Sequence, residues 1–130
     1  MFSLIEKPER LKESGFEFHK KGEIGELTIN WYIGDLKKRQ KIEEELLTFS
    51  FEGIKKLIII GNITAESANS CFRMIHRIIA YARSFGINCK VVIPNKELLE
   101  ASKIGGIITS AIEPNQVFLS KAQAGRRAWT

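Results

Sequence analysis

The apolar positions of this chain repeat every second residue in some stretches, run unbroken in others, and return at three- and four-residue steps in the rest. Gly15-Phe16-Glu17-Phe18-His19 alternates apolar and polar residues, as a half-buried strand does. After a turn at Lys20-Lys21-Gly22-Glu23, the stretch from Glu26 to Gly34 alternates again. Leu27, Ile29, Trp31 and Ile33 face one way, and Thr28, Asn30 and Tyr32 the other. Two such runs joined by a short Gly-containing loop predict a hairpin. Lys56-Leu57-Ile58-Ile59-Ile60 is instead a continuous β-branched run, the pattern of a strand buried on both faces. Asn88-Cys89-Lys90-Val91-Val92-Ile93 resumes that pattern before Pro94. The long amphipathic segment between them, Ala68 to Phe85, is stopped by Gly86. Strand, crossover helix and strand make a right-handed βαβ unit. Its loop-to-helix junction lies at the carboxyl edge of the sheet, where ligands and partners meet open α/β proteins.

Helical spacing governs the rest. Asp35 can cap a helix whose apolar positions are Leu36, Ile42 and Leu46, with Leu47 and Phe49 as further candidates. Its polar face runs from basic (Lys37, Lys38, Arg39, Lys41) to acidic (Glu43, Glu44, Glu45), the reverse of what the helix dipole prefers; such an inversion marks a partner surface or, more often, a tolerated solvated face. In the central helix Cys71, Phe72, Ile75, Ile78, Ile79, Ala82 and Phe85 would pack on the sheet. Asn69, Arg73, His76, Arg77, Ala80 and Ser84 fall on the opposite side, and Ser67 is the candidate N-cap. Arginine pairs hold carboxylates and phosphates in bidentate fashion, so this face can receive an acidic partner; ordinary helix solubility explains the same pattern. After Pro94, Asn95 caps a short helix carrying Leu98, Leu99, Ala101 and Ile104, and Gly105-Gly106 ends it. Ile107 to Ile112 is expected to be the last strand. Pro114-Asn115 is expected to open a final helix docking Val117, Phe118, Leu119 and Ala122. The division is an N-terminal arm (1–14), a domain (15–124) and a basic tail (125–130) expected to fray.

Composition narrows the function classes. At 130 residues the chain fits one domain. The net charge of +5 permits nucleic-acid binding, but the lysines are interleaved with glutamates and no nucleic-acid motif appears. Solvated surface, with no direct nucleic-acid contact, is the expectation. No basic stretch followed by an apolar one opens the chain, and no apolar run approaches the roughly 20 residues of a membrane span. A cytoplasmic protein without membrane insertion is expected. Cys71 and Cys89 then read as reduced core residues. No phosphate-binding glycine loop is present, and neither His19 nor His76 has metal-ligand spacing to a cysteine or carboxylate. Ser67 and Ser70 lack an adjacent base to activate them. A non-catalytic binding module needing no cofactor follows.

Several local sequences resemble the STAS domain, the family of sulphate-transporter C-termini and anti-sigma-factor antagonists. Gly34-Asp35-Leu36 is similar to that family's Gly-Glu-Leu, and Lys56 to Ser67 to its central strand and following loop. Tyr81-Ala82-Arg83-Ser84-Phe85-Gly86 and Ser102-Lys103-Ile104-Gly105-Gly106-Ile107 are similar to later segments. The resemblance spans roughly residues 15–124 and implies a mixed four- to five-stranded sheet with about four helices mainly on one face. It also implies a regulatory, partner-switching adaptor binding a serine-kinase-like anti-sigma factor or a scaffold through Asn69, Ser70, Arg73, His76 and Arg77. A structural subunit of a scaffold or cytoplasmic transporter complex is the alternative, and a homodimer stays open. One departure matters. The family's Asp-Ser-Ser-Gly phosphoacceptor word falls on Ala68-Asn69-Ser70-Cys71, and an amide cannot be phosphorylated. The usual switch is therefore expected to be absent, leaving Ser70 and Ser67 as secondary sites.

Overall fold

A computed structural model describes residues 15–30, 33–127 and 129. The expected arm at 1–14, the alternation through Trp31 and Tyr32, and the tail positions Ala128 and Thr130 lie outside the described residues. The chain is α/β, with five strands in one mixed sheet and, among the described residues, four α-helices. Strands β1 (Phe16–Lys21) and β2 (Ile24–Ile29) form the hairpin, turning on Gly22 and Glu23 with Gly22 at φ +60°. That positive φ suits the first position of a two-residue hairpin turn and strains any residue with a Cβ. Helix α1 (Leu36–Phe51) follows, capped as its sequence implies: the Asp35 carboxylate accepts the Lys37 N–H at 2.8 Å.

Next come β3 (Lys56–Gly61), α2 (Ala68–Ser84), β4 (Asn88–Val92) and α3 (Lys96–Gly105). The two strands flanking α2 are parallel neighbours, so the βαβ unit is present as read. Asn95 caps α3 by accepting the Leu98 N–H at 3.1 Å, and Gly106 ends it at φ +73°. Strand order in the sheet is the chain order, β1 to β5, antiparallel only at the hairpin.

Beyond α3 the chain departs from expectation. Ile107 to Ile112 is a series of turns, and the last strand, β5, is Val117–Phe118, paired with Val91 and Val92. A short apolar run fits either period. Here Ile108 and Ile112, four apart, both point inward, and the Ile112 N–H meets the Ile108 carbonyl at 3.2 Å. Pro114 opens only a 3₁₀ turn, Pro114–Gln116, and the final helix, α4, is Lys121–Arg126. Val117 and Phe118 are therefore strand residues whose side chains alternate between the two faces of the sheet.

The larger core lies on the face covered by α1 and α2. Leu27, Ile29, Leu57, Ile59 and Val91 of the sheet meet Ile42 and Leu46 of α1 and Ile75 and Ile79 of α2, all essentially inaccessible. Each such side chain contributes about 1.5–3 kcal/mol by leaving water. Met74, missed by the wheel, is buried as well. Gly25 lets α1 close on the sheet: a Cβ there would stand 2.5 Å from Phe49 Cε2.

The second face is smaller and mixed. Ile58, Val92, Phe118 and Ala124 form its core, with Ile24, Ile60 and Trp129 against it. Lys90, between Ile58 and Val92 in this layer, is wholly buried. Its ammonium donates to the carbonyls of Ala124 at 2.6 Å and Arg127 at 2.5 Å and lies 4.3 Å from the centre of the Trp129 ring. The terminal stretch expected to fray is thus held: α4 runs to Arg126, and Lys90 occupies the carbonyl end that the helix leaves without partners. Burial, with Lys56 nearby, holds the Lys90 amine below its ordinary value. Glu26, also buried, is approached by Lys21 at 3.6 Å and Lys121 at 3.4 Å.

Candidate functional site

The central strand ends at Gly61, where the chain must pass close beneath α2. A Cβ on Gly61 would approach Ile75 Cδ1 to 3.2 Å. A 3₁₀ turn, Ala65–Ser67, then feeds the helix. Ser67 stands at the N-cap position but its side chain does not cap: with φ −104° and ψ 9° the backbone is not extended as a capping serine requires. The hydroxyl instead lies 3.1 Å from Thr64 Oγ1 and accepts from the Cys71 thiol at 3.6 Å. Burial raises the Cys71 pKa, and the Ser67 hydrogen bond opposes that rise only in part. A serine half-buried in these contacts is a poor phosphoacceptor. Ser70, one position before the buried Cys71, is exposed.

The helical wheel places the remaining candidates well. Asn69, Arg73 and Arg77 are exposed and His76 is half-buried, while the apolar stripe faces the sheet. Beyond the wheel, the fold brings four of the five partner-binding candidates to one feature. Ser70, Arg73, His76 and Arg77 line one wall of a groove of about 630 Å³, and α1 forms the other wall with Leu36, Arg39 and Glu43. Asn69 is exposed outside that lining. Ile42, Leu46, Met74 and Ile78 lie at its floor, with Ile107 and Ser110 at one end. Arg39 also anchors α1 to the preceding loop, its Nε donating to the Ile33 carbonyl at 2.8 Å. Arg83 binds the carbonyl of Ala111, holding the turns that close that end.

Sequence reasoning missed the α1 wall because each helix was read alone. Leu36, read as one of the apolar positions of its helix with Ile42 and Leu46, is instead two-thirds exposed at the groove's rim. Of the charged face of α1, read as partner surface or solvated face, Arg39 and Glu43 line the groove.

The groove is equipped for recognition. Arg73 and Arg77 make no ion pair or hydrogen bond with any described residue, so their donors are available to an incoming acceptor. Ser70 and His76 share the wall without a hydrogen bond between them. Among the described residues, no cluster of three or more His, Cys, Asp or Glu could hold a metal ion, and no helix is long and apolar enough to cross a membrane. No protein-family model matches the chain, and no curated protein is significantly similar to it.

Proposed function

We propose that this chain is a STAS-like docking module of the cytoplasm, an adaptor of the anti-sigma-factor-antagonist kind that engages a protein partner through the exposed face of α2. The observation that carries the reading is the pair of arginines, Arg73 and Arg77, without partners among the described residues and beside Ser70 and His76 on one wall of a groove. Hairpin, helix and alternating parallel strands follow the order of elements that the local resemblances imply, and they support the family assignment. Fold alone does not define activity; the side chains of the groove do. The adaptor is non-catalytic: the serine and histidine of the wall are not joined as a nucleophile and base would be.

With Asn69 at the place of the usual acceptor, the module is constitutive. A phosphate on Ser70 would add about −1.5 to −2 charges beside the arginines and occupy them. Intact-mass measurement of the protein from its native cells should show the unmodified mass; stoichiometric phosphate would overturn the constitutive reading. The alternative, a structural subunit of a scaffold or transporter complex, is favoured by the same Asn69. The two separate by the partner recovered when a photo-crosslinking residue replaces Ala80, exposed on the same side of α2 and outside the groove's lining, in native cells. A kinase-like regulator is expected, a scaffold or transporter component supports the alternative, and no protein adduct removes the α2 face as a docking surface.

A further inference from the structure

We infer that the groove between α1 and α2 seats a short, acidic, amphipathic helix of the partner. The inference rests on the docking reading above and adds the chemistry of the occupant. The dimensions come first. The lining runs from Leu36 to Leu46 along α1 and from Ser70 to Tyr81 along α2. At a rise of ~1.5 Å per residue each wall is about 15 Å long, the length of a three-turn helix of about ten residues. A helix laid between two others can set its side-chain ridges into theirs.

Backbone chemistry favours the same occupant. Both walls are helices, whose own peptide groups are bonded internally, so they offer no ladder to an extended peptide. A helical guest satisfies its peptide groups itself and needs only side-chain contacts.

The charges select the partner's sign. Arg73 and Arg77 are one turn apart on the same face and free of partners among the described residues, a spacing that suits two carboxylates on the guest. Glu43 is the one acidic residue of the lining. Leu36, two-thirds exposed at the rim, offers an apolar contact to the guest's inner stripe. A second copy of the chain would bring the same two arginines and meet like charge.

The test uses the full chain and two fluorescein-labelled peptides of about twelve residues. Both carry leucines at helical i, i+4 and i+7 spacing; one has glutamates flanking them and its twin has lysines. Fluorescence anisotropy should show the glutamate peptide binding at least about tenfold more tightly than its twin. The double variant Arg73→Glu, Arg77→Glu should reverse that preference, with an unchanged circular dichroism spectrum certifying its fold. Equal binding of both peptides, or of neither, overturns the inference. So does stronger competition by a single-stranded oligonucleotide than by unlabelled glutamate peptide, or dimerisation of the chain in sedimentation. A protein adduct from position 80 in native cells would then leave the docking reading standing without its acidic helix; absence of that adduct as well would remove both.

Discussion

On one face of the sheet, Leu27, Leu57, Ile59 and Val91 meet α1 and α2 across an unbroken apolar layer. On the other, Ile58 and Val92 share their layer with Glu26 and Lys90 beneath α4, a helix of six residues. The first face holds the domain together by volume filled. The second holds a terminal segment in place through a few directed contacts: an ammonium on two carbonyls, an indole above it, and carboxylate–lysine pairs. Neighbours in a single strand are assigned to these two regimes, and Cys89 and Lys90 are the clearest pair. The thiol sits with the larger core and the amine with the smaller one.

The comparison can be broken by substitution. On the larger face, Ile59→Ala should cost about 2–5 kcal/mol in urea unfolding, because the cavity is enclosed on all sides. Gly25→Val should cost about 1–3 kcal/mol by forcing the Phe49 ring away from the sheet. On the second face, Trp129→Ala should cost only about 0.5–2 kcal/mol, the range of a cation–π contact with its small apolar area. If Trp129→Ala matched Ile59→Ala, the terminal segment would belong to the main core and the contrast would fail.

Alkaline titration sharpens the same contrast, since the two faces give slopes of opposite sign. Burial pushes the Cys89 thiol up to about 12, with Arg83 opposing. Between the ordinary 9.0 and that value the unfolded chain loses a proton that the folded chain keeps, so stability falls as pH rises. Lys90 is held below its ordinary 10.5, so over the interval beneath 10.5 the unfolded chain keeps a proton that the folded chain sheds, and stability rises with pH. Chemical denaturation across that range should show the falling component shrink in Cys89→Ala to what the raised Cys71 thiol still contributes, and the rising component vanish in Lys90→Met. These are the smallest expected effects, and their signs are the measurement.

Much of the larger face was legible in the sequence. Its strands are β-branched runs or strict alternations, and the stripe of α2 repeats at helical spacing, so local patterns carry the placement. The second face was not. Lys90 reads as an interruption of an apolar strand, and the carbonyls that receive it lie 34 and 37 residues further on. Ile107 to Ile112 reads as a strand because Ile108 and Ile112 satisfy either period; Gly106, at positive φ, turns the chain into it. For the site, the wheel of α2 identified the exposed residues. The groove needed α1 beside them, and no single helix's periodicity reports which helix lies next to it. The hydroxyl of Ser67 does not cap as its position implies, because the 3₁₀ turn that precedes α2 alters the backbone a cap depends on.

Strand order along the sheet is also the order of synthesis. Every strand after the first therefore finds its partner in the strand made before it, and the sheet can grow by successive addition at one edge. Contacts of low sequence separation favour rapid assembly. The exception is the closing step, in which Lys121 of α4 reaches Glu26, 95 residues earlier, while Trp129 closes over Lys90. Until that step a nascent or reheated chain presents Ile58, Val92 and Phe118 to its neighbours, and that interval is when self-association competes with folding.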